Sequence, residues 1–292
     1  MLDTFQDKVA VITGAGSGFG REFALLGARR GMRLVLADIQ PDALEQTMSM
    51  VVALGADAIA VPTDVGDGAA MDALRNACVD RFGVPDLLFN NAGVAAGGLI
   101  WENGIKDWEW VLRVNLWGVI HGVRAFVPAM VGRGQAAHIV NTASVAGLLS
   151  APNMGVYNVS KHAVVALSET LFHDLRLVGS PVGVSVLCPA FVPTGIADSE
   201  RNRPPALGQD TPPTESMNQA AQLNRKAVSS GRISAAEVAA TTFAAIERDQ
   251  FYIITHERIM ESVRLRTDDV ANKRNPTDPF SLRKDVAPNA GR

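Results

Sequence analysis

The sequence predicts an α/β fold, a doubly wound parallel sheet flanked by helices in a single domain. Three observations predict it. The strand candidates are short β-branched or aliphatic runs whose apolar character is continuous rather than alternating, as in strands buried on both faces. They are separated by amphipathic or Ala-rich stretches of helical length, the alternation that belongs to parallel sheets. The first strand also runs directly into a glycine-rich turn and a helix.

In chain order the strands are expected at 8–13, 33–37, 58–62, 87–90, 138–142, 182–188 and 251–255, with helices at 19–30, 41–54, 67–82, 107–132 and 157–178. Residues 198–232 stand apart. Four prolines (204, 205, 212 and 213) sit among polar residues before a helical pattern at 215–230, which reads as an insertion over the sheet. A helix start follows at Ser234-Ala235-Ala236-Glu237, with the capping-box spacing. The domain is expected to span 1–268, including that insertion, and 269–292 to form an extended tail, because periodicity is lost there.

Composition narrows the function. The 292 residues carry 27 Lys+Arg against 30 Asp+Glu, a net charge of −3, which supplies no basic field for nucleic acid or an anionic membrane. Hydrophobic residues make up 47%, enough to exclude global disorder. Cys78 and Cys188 are too few for a disulfide scaffold and suit a reducing compartment. No basic-then-apolar leader opens the sequence, and no run of about 20 apolar residues is evident, so a soluble, cytoplasmic protein is expected. The five histidines show no metal-ligand spacing, and no metal is expected.

The chemistry concentrates in three places. In Thr13-Gly14-Ala15-Gly16-Ser17-Gly18-Phe19-Gly20, glycines let backbone N–H groups approach a pyrophosphate at a helix N-terminus. The second strand ends at Asp38, where a carboxylate accepts hydrogen bonds from ribose hydroxyls and repels a 2′-phosphate; neither Ser17 nor Ile39 offers a base instead. Tyr157 and Lys161 form an i,i+4 pair on the 157–178 helix, and a neighbouring ammonium is expected to lower the phenol pKa toward general acid/base use. Ser144, at the carboxyl end of the fifth strand, is placed to put a hydroxyl beside Tyr157.

Together, Thr13-Gly14-x-x-x-Gly18-x-Gly20, Asn90-Asn91-Ala92-Gly93, Asn115, Ser144, Tyr157 and Lys161 make the sequence resemble the short-chain dehydrogenase/reductase family, single-domain NAD-type branch, over roughly residues 5–260. The resemblance implies a Rossmann-like fold and hydride transfer to or from NAD. By it, Tyr157 exchanges the substrate proton, Lys161 binds the nicotinamide ribose, Ser144 positions the substrate oxygen, and Asn115 holds a relay water. Asp64 and Val65 would meet the adenine, Asn91-Ala92-Gly93 would pack beside the cofactor, and Pro189, Val192 and Thr194 would hold the nicotinamide end. Ala190 stands where the family prefers glycine and Phe19 where it prefers an aliphatic residue.

Val94, Leu99, Trp101, Leu149, Asn153, Met154, Phe191 and Ile196 are expected to line the substrate pocket, with no Arg or Lys in those stretches. That points to a neutral, bulky aromatic or alicyclic secondary alcohol or ketone, and more weakly to benzylic alcohols of lignin-derived aryl ethers. The segment around 201–204 is expected to close as a lid. The resemblance also implies a homo-oligomer, dimer or tetramer, built by the helices at 107–132 and 157–178. The alternatives are an NADP-dependent ketone reductase and a non-catalytic dinucleotide-binding sensor or scaffold.

Overall fold

The computed structural model describes residue 2 and residues 4–282. Seven strands, β1 (Val9–Thr13), β2 (Arg33–Asp38), β3 (Ala58–Pro62), β4 (Leu87–Asn90), β5 (Ala137–Thr142), β6 (Val182–Cys188) and β7 (Tyr252–Ile254), form one sheet in the order β3-β2-β1-β4-β5-β6-β7. Every pairing is parallel. The direction of winding reverses between β1 and β4, which opens a crevice at the strands' carboxyl ends.

The continuous apolar runs follow from burial on both faces. Along β1, Ala10 and Ile12 pack with α1 (Gly18–Arg29), α2 (Pro41–Ala53) and α8 (Ala235–Glu247). Val9 and Val11 pack on the other face with α3 (Gly68–Phe82), α5 (Gly118–Arg133) and α6 (Gly155–Leu177). A two-residue period with apolar side chains in both phases reads as an unbroken hydrophobic run. On the α1/α8 face, Phe89 stacks between Phe23 and Phe243, with ring centres 4.8 and 5.8 Å away. The helix α8 begins with the expected capping box, Ser234 Oγ accepting from Glu237 N–H and the Glu237 carboxylate accepting from Ser234 N–H.

The helix expected at 107–132 is not continuous. It comprises α4 (Ile105–Leu112), a π-turn (Arg113–Trp117) and α5. The run Ile105–Arg133 is also apolar and long enough to cross a membrane, which the sequence reading does not single out. Here Trp110, Val111, Val119, Phe126 and Met130 are buried within the fold, as in a core helix.

The insertion consists of 3₁₀ turns at Gly195–Asn202 and Pro205–Leu207, followed by α7 (Glu215–Ser229). The last helix, α9 (Met260–Ala271), includes residues 269–271, and residues 272–282 turn back onto it. The rest of the expected tail lies outside the described residues.

Candidate active site

The strands' carboxyl ends open into a cavity of about 1070 Å³. At the β1 turn, Gly14 and Gly18 have φ of +66° and +52°, and a Cβ on Gly20 would stand 2.1 Å from the Gly14 carbonyl oxygen. Only glycine lets α1 start this close to the turn. Thr13 ties the turn to β4: its Oγ1 accepts from the N–H groups of Asn91 (2.9 Å) and Ala92 (3.1 Å), while Asn91 Nδ2 donates to Thr13 O at 3.0 Å. Asp38, ending β2, accepts from Gly16 N–H at 2.8 Å and from Gln40 N–H at 2.9 Å. Asp64 accepts from Gly66 N–H at 2.9 Å and pairs with Arg113 at 2.8 Å. Asp38, Asp42 and Asp64 face this end of the cavity, and the cations among its described walls, Lys161, Arg201, Arg232 and Arg258, all come from later segments.

The other end is built by β5, β6 and α6. Ser144 follows β5; its hydroxyl accepts from Ala146 N–H at 3.1 Å and donates to Pro189 O at 3.3 Å. Tyr157 and Lys161 lie one turn apart on α6, and the Ser144 hydroxyl lies close enough to the Tyr157 phenol to act on its ionisation. Lys161 Nζ donates to Thr142 O at 2.9 Å and lies 5.7 Å from the Tyr157 ring centre.

The electrostatics correct one expectation. Burial pushes the Tyr157 phenol up to about 12, against a smaller downward pull from the Ser144 hydrogen bond. Burial also pulls the Lys161 ammonium down to about 8. The phenol is therefore not lowered by its lysine here: both groups sit where burial disfavours charge, and the ammonium is turned onto a carbonyl.

Asn115 lies in the π-turn and is fully buried. Its Oδ1 accepts from Val94 N–H at 2.8 Å, and its Nδ2 donates to Val94 O (2.9 Å) and Ser160 Oγ (3.0 Å). The side chain thus clamps the β4 loop to α6, and the wide turn is what lets it reach inward.

Of the residues singled out from sequence, Gly14, Ser17, Gly18, Phe19, Asp38, Asp64, Val65, Asn91, Ala92, Gly93, Ser144, Tyr157, Lys161, Pro189, Val192 and Thr194 all border this one cavity. Gly20 and Asn115 stand behind its wall. Of the expected substrate contacts, Val94, Leu149, Met154, Phe191 and Ile196 are present; Leu99, Trp101 and Asn153 are not, and Trp101 is exposed. The stretches expected to line the pocket bring no Arg or Lys, but Arg201, Arg232 and Arg258 reach the cavity from the insertion, the α7–α8 loop and the turn after β7. Sequence reasoning also missed Pro279 and Phe280 as cavity walls, and the Arg113 partner of Asp64. No local signal marks these, since each arrives from a distant element.

The insertion is clamped down. Arg203 pairs with Asp107 of α4 at 2.7 Å, both side chains buried, and its guanidinium lies over the Trp110 ring. Ser199 Oγ accepts from Ala95 N–H at 3.0 Å. Both cysteine thiols are pushed up to about 12 by burial and are inert at neutral pH. Among the described residues, no group of three or more His, Cys, Asp or Glu side chains gathers as a metal site.

Residues 8–205 match the family model for short chain dehydrogenases. A dehydrogenase/reductase of CLA biosynthesis from Lactiplantibacillus plantarum is 36% identical over 258 residues, covering 87% of this chain and 90% of that protein. A 1-deoxy-11-beta-hydroxypentalenate dehydrogenase from Streptomyces exfoliatus is 34% identical, covering 91% and 89%. A short chain dehydrogenase/reductase from Burkholderia phymatum, solved in complex with NAD, is 58% identical with a TM-score of 0.95, covering 97% of this chain and all of that one. With the glycine turn, the Asn91-Ala92-Gly93 loop and the Ser144, Tyr157 and Lys161 cluster in one cavity, these matches mean that the chain belongs to the short-chain dehydrogenase family of oxidoreductases.

Proposed function

We propose that this protein transfers hydride between NAD(H) and a bulky, largely apolar secondary alcohol or ketone, with Tyr157 as the acid/base. The observation that carries the reading is Ser144, Tyr157 and Lys161 together on one cavity wall, with Lys161 one turn from Tyr157, at the end of a cavity whose other end is acidic. The residues fit a dinucleotide: a glycine cradle with no room for a Cβ at Gly20, and an Asp38 carboxylate at the strand end where a ribose would lie. The carboxylates of Asp38 and Asp42 at that end, with the nearby Arg113 already engaged by Asp64, favour NAD over NADP. The NAD complex of the Burkholderia relative supports the same choice. The hydroxyl substrate in the name of the Streptomyces relative supports an alcohol/ketone couple.

When bound, NAD(H) supplies or accepts the hydride. The chain's own part is at the oxygen. Ser144 Oγ and the Tyr157 hydroxyl both border the cavity and would donate to the charge that develops on a carbonyl oxygen held there, Ser144 by turning its proton away from the Pro189 carbonyl. In reduction the phenol gives its proton to that oxygen; in oxidation the phenolate takes it back. Lys161 stabilises the phenolate when protonated and, through its place beside Gly93, is positioned to hold a ribose hydroxyl. The same reading has the chain assemble as a dimer or tetramer through the outer faces of α5 and α6.

The test is turnover of NADH with cyclic and aryl ketones, and of NAD with the matching alcohols. Tyr157→Phe should lose about 10²–10⁴-fold in kcat with NAD binding retained. A phenol raised toward 12 is protonated at neutral pH. Reduction should therefore hold steady through neutral pH and fall only in strong alkali. Oxidation, which needs the phenolate, should keep climbing through alkaline pH toward about 12. Full activity in Tyr157→Phe would overturn the assignment. NAD binding without turnover on any ketone or alcohol would leave the sensor, and a preference for NADP the alternative reductase.

A further inference from the structure

The far wall of the cavity comes from a segment that has no part in the glycine turn or the Ser144–Tyr157–Lys161 cluster. After α9 the chain reverses at Lys273, whose φ of 54° is left-handed, with Arg274 N–H donating to Asp269 O at 2.9 Å. It then returns toward the start of α9. Asp269 Oδ2 accepts from Thr277 N–H at 2.9 Å, and Ser262 Oγ donates to Pro279 O at 2.9 Å. Ser262 and Asp269 are seven residues apart, on one stripe of the helix, and both are buried. Their side chains make their hydrogen bonds to the returning chain. Arg274 reinforces the arrangement, its Nε donating to Asp269 Oδ1 at 3.0 Å.

This fold-back delivers Pro279 and Phe280 to the cavity beside His256, Arg258 and Ile259, just past β7. The place in the sheet decides which end that is. Asp38 lies at β2 and the catalytic cluster at β5 and α6, so β7 lies beyond the cluster, on the side away from the acidic end. The link is also direct: Ala190 N–H donates to His256 Nδ1 at 3.4 Å, and the neighbouring Pro189 carbonyl accepts from Ser144 Oγ. Phe280 is half-buried, with one face on the cavity.

We infer that residues 272–282 form a strap that walls the substrate end of the cavity, with Phe280 as a specificity-determining residue that packs on the bulky part of the substrate. Asp269 is the positioning residue that holds the strap. The inference rests on the ketone/alcohol reading for its substrate class and adds which part of the chain selects it. A large apolar ring system would gain contact with Phe280, whereas a small ketone held at Ser144 and Tyr157 would not reach it.

The test compares kcat/KM for 2-decalone with that for cyclopentanone, using NADH and the full-length chain. Phe280→Ala should lower the ratio tenfold or more, through the KM for decalone, while the NADH Kd stays within twofold. Asp269→Ala should reproduce the effect. Asp269→Asn, which keeps an acceptor for Thr277 N–H, should restore most of the ratio; a merely structural loss would move both ketones alike. An unchanged ratio in Phe280→Ala overturns the strap, and this variant carries the test if Asp269→Ala does not fold. If the wild type turns over neither ketone, the acid/base reading has failed. The ratio of ketone Kd values on the NADH-bound protein, by calorimetry, then decides for the strap: a tenfold selective loss in Phe280→Ala supports it, and an equal change or no binding overturns it.

Discussion

Asp38 shows how much one side chain can do at a strand end. Its two oxygens accept from Gly16 N–H in the glycine turn and Gln40 N–H at the start of α2, so the carboxylate both shapes the turn and faces the cavity. Asp38→Asn removes the charge and keeps one acceptor. Hydrogen bonds to charged groups contribute about 1.5–3 kcal/mol, which converts to roughly 10–100-fold. NAD binding should weaken by that order, and the preference for NAD over NADP should shrink with it. Dissociation constants for both dinucleotides check this; an unchanged preference would mean that Asp38 does not select the cofactor. That Asp38, Tyr157 and Lys161 border one cavity was legible in the sequence, because their placement follows from local geometry, a strand end and an i,i+4 spacing. The direction of the Tyr157 pKa was not legible, because it depends on how much water the folded site excludes.

At the scale of elements, the π-turn ties the β4 loop to α6 and the insertion lines part of the cavity. The 107–132 pattern reads as one helix because its apolar period hardly changes; the break is set by Asn115 reaching Val94 and Ser160, contacts that a regular helix would not place inward. The insertion is held by the buried Arg203–Asp107 pair. Arg203→Met would leave the Asp107 carboxylate buried without its cation, at a cost of about 3–5 kcal/mol. If the insertion covers the substrate end, the melting temperature should fall and the substrate KM rise, with the NAD Kd little changed. A melting curve and steady-state kinetics check both; a variant with wild-type KM would separate the clamp from substrate binding.

At the scale of the whole molecule, apolar side chains remain on the outside of the helices proposed for assembly. Trp117, Val159 and Leu177 are 50%, 45% and 85% exposed in the single chain. The assembly proposed above would cover this apolar surface. Sedimentation should give a particle of two or four chains, and a single-chain mass at micromolar concentration would overturn the assembly. The sequence by itself determined the layer architecture, the order of strands and helices along the chain, and the residues of the glycine turn and of the Ser144, Tyr157 and Lys161 cluster. Those depend on hydrophobic period, on turn chemistry and on neighbours within one helical turn, all of which are written locally. Only the tertiary structure decided that Arg201, Arg232 and Arg258 enter the cavity, that Thr13 fastens the turn to β4, and that Pro279 and Phe280 close the far wall. Those contacts join segments tens to hundreds of residues apart, and their geometry is set by how the helices pack on the sheet, which no short stretch of sequence encodes.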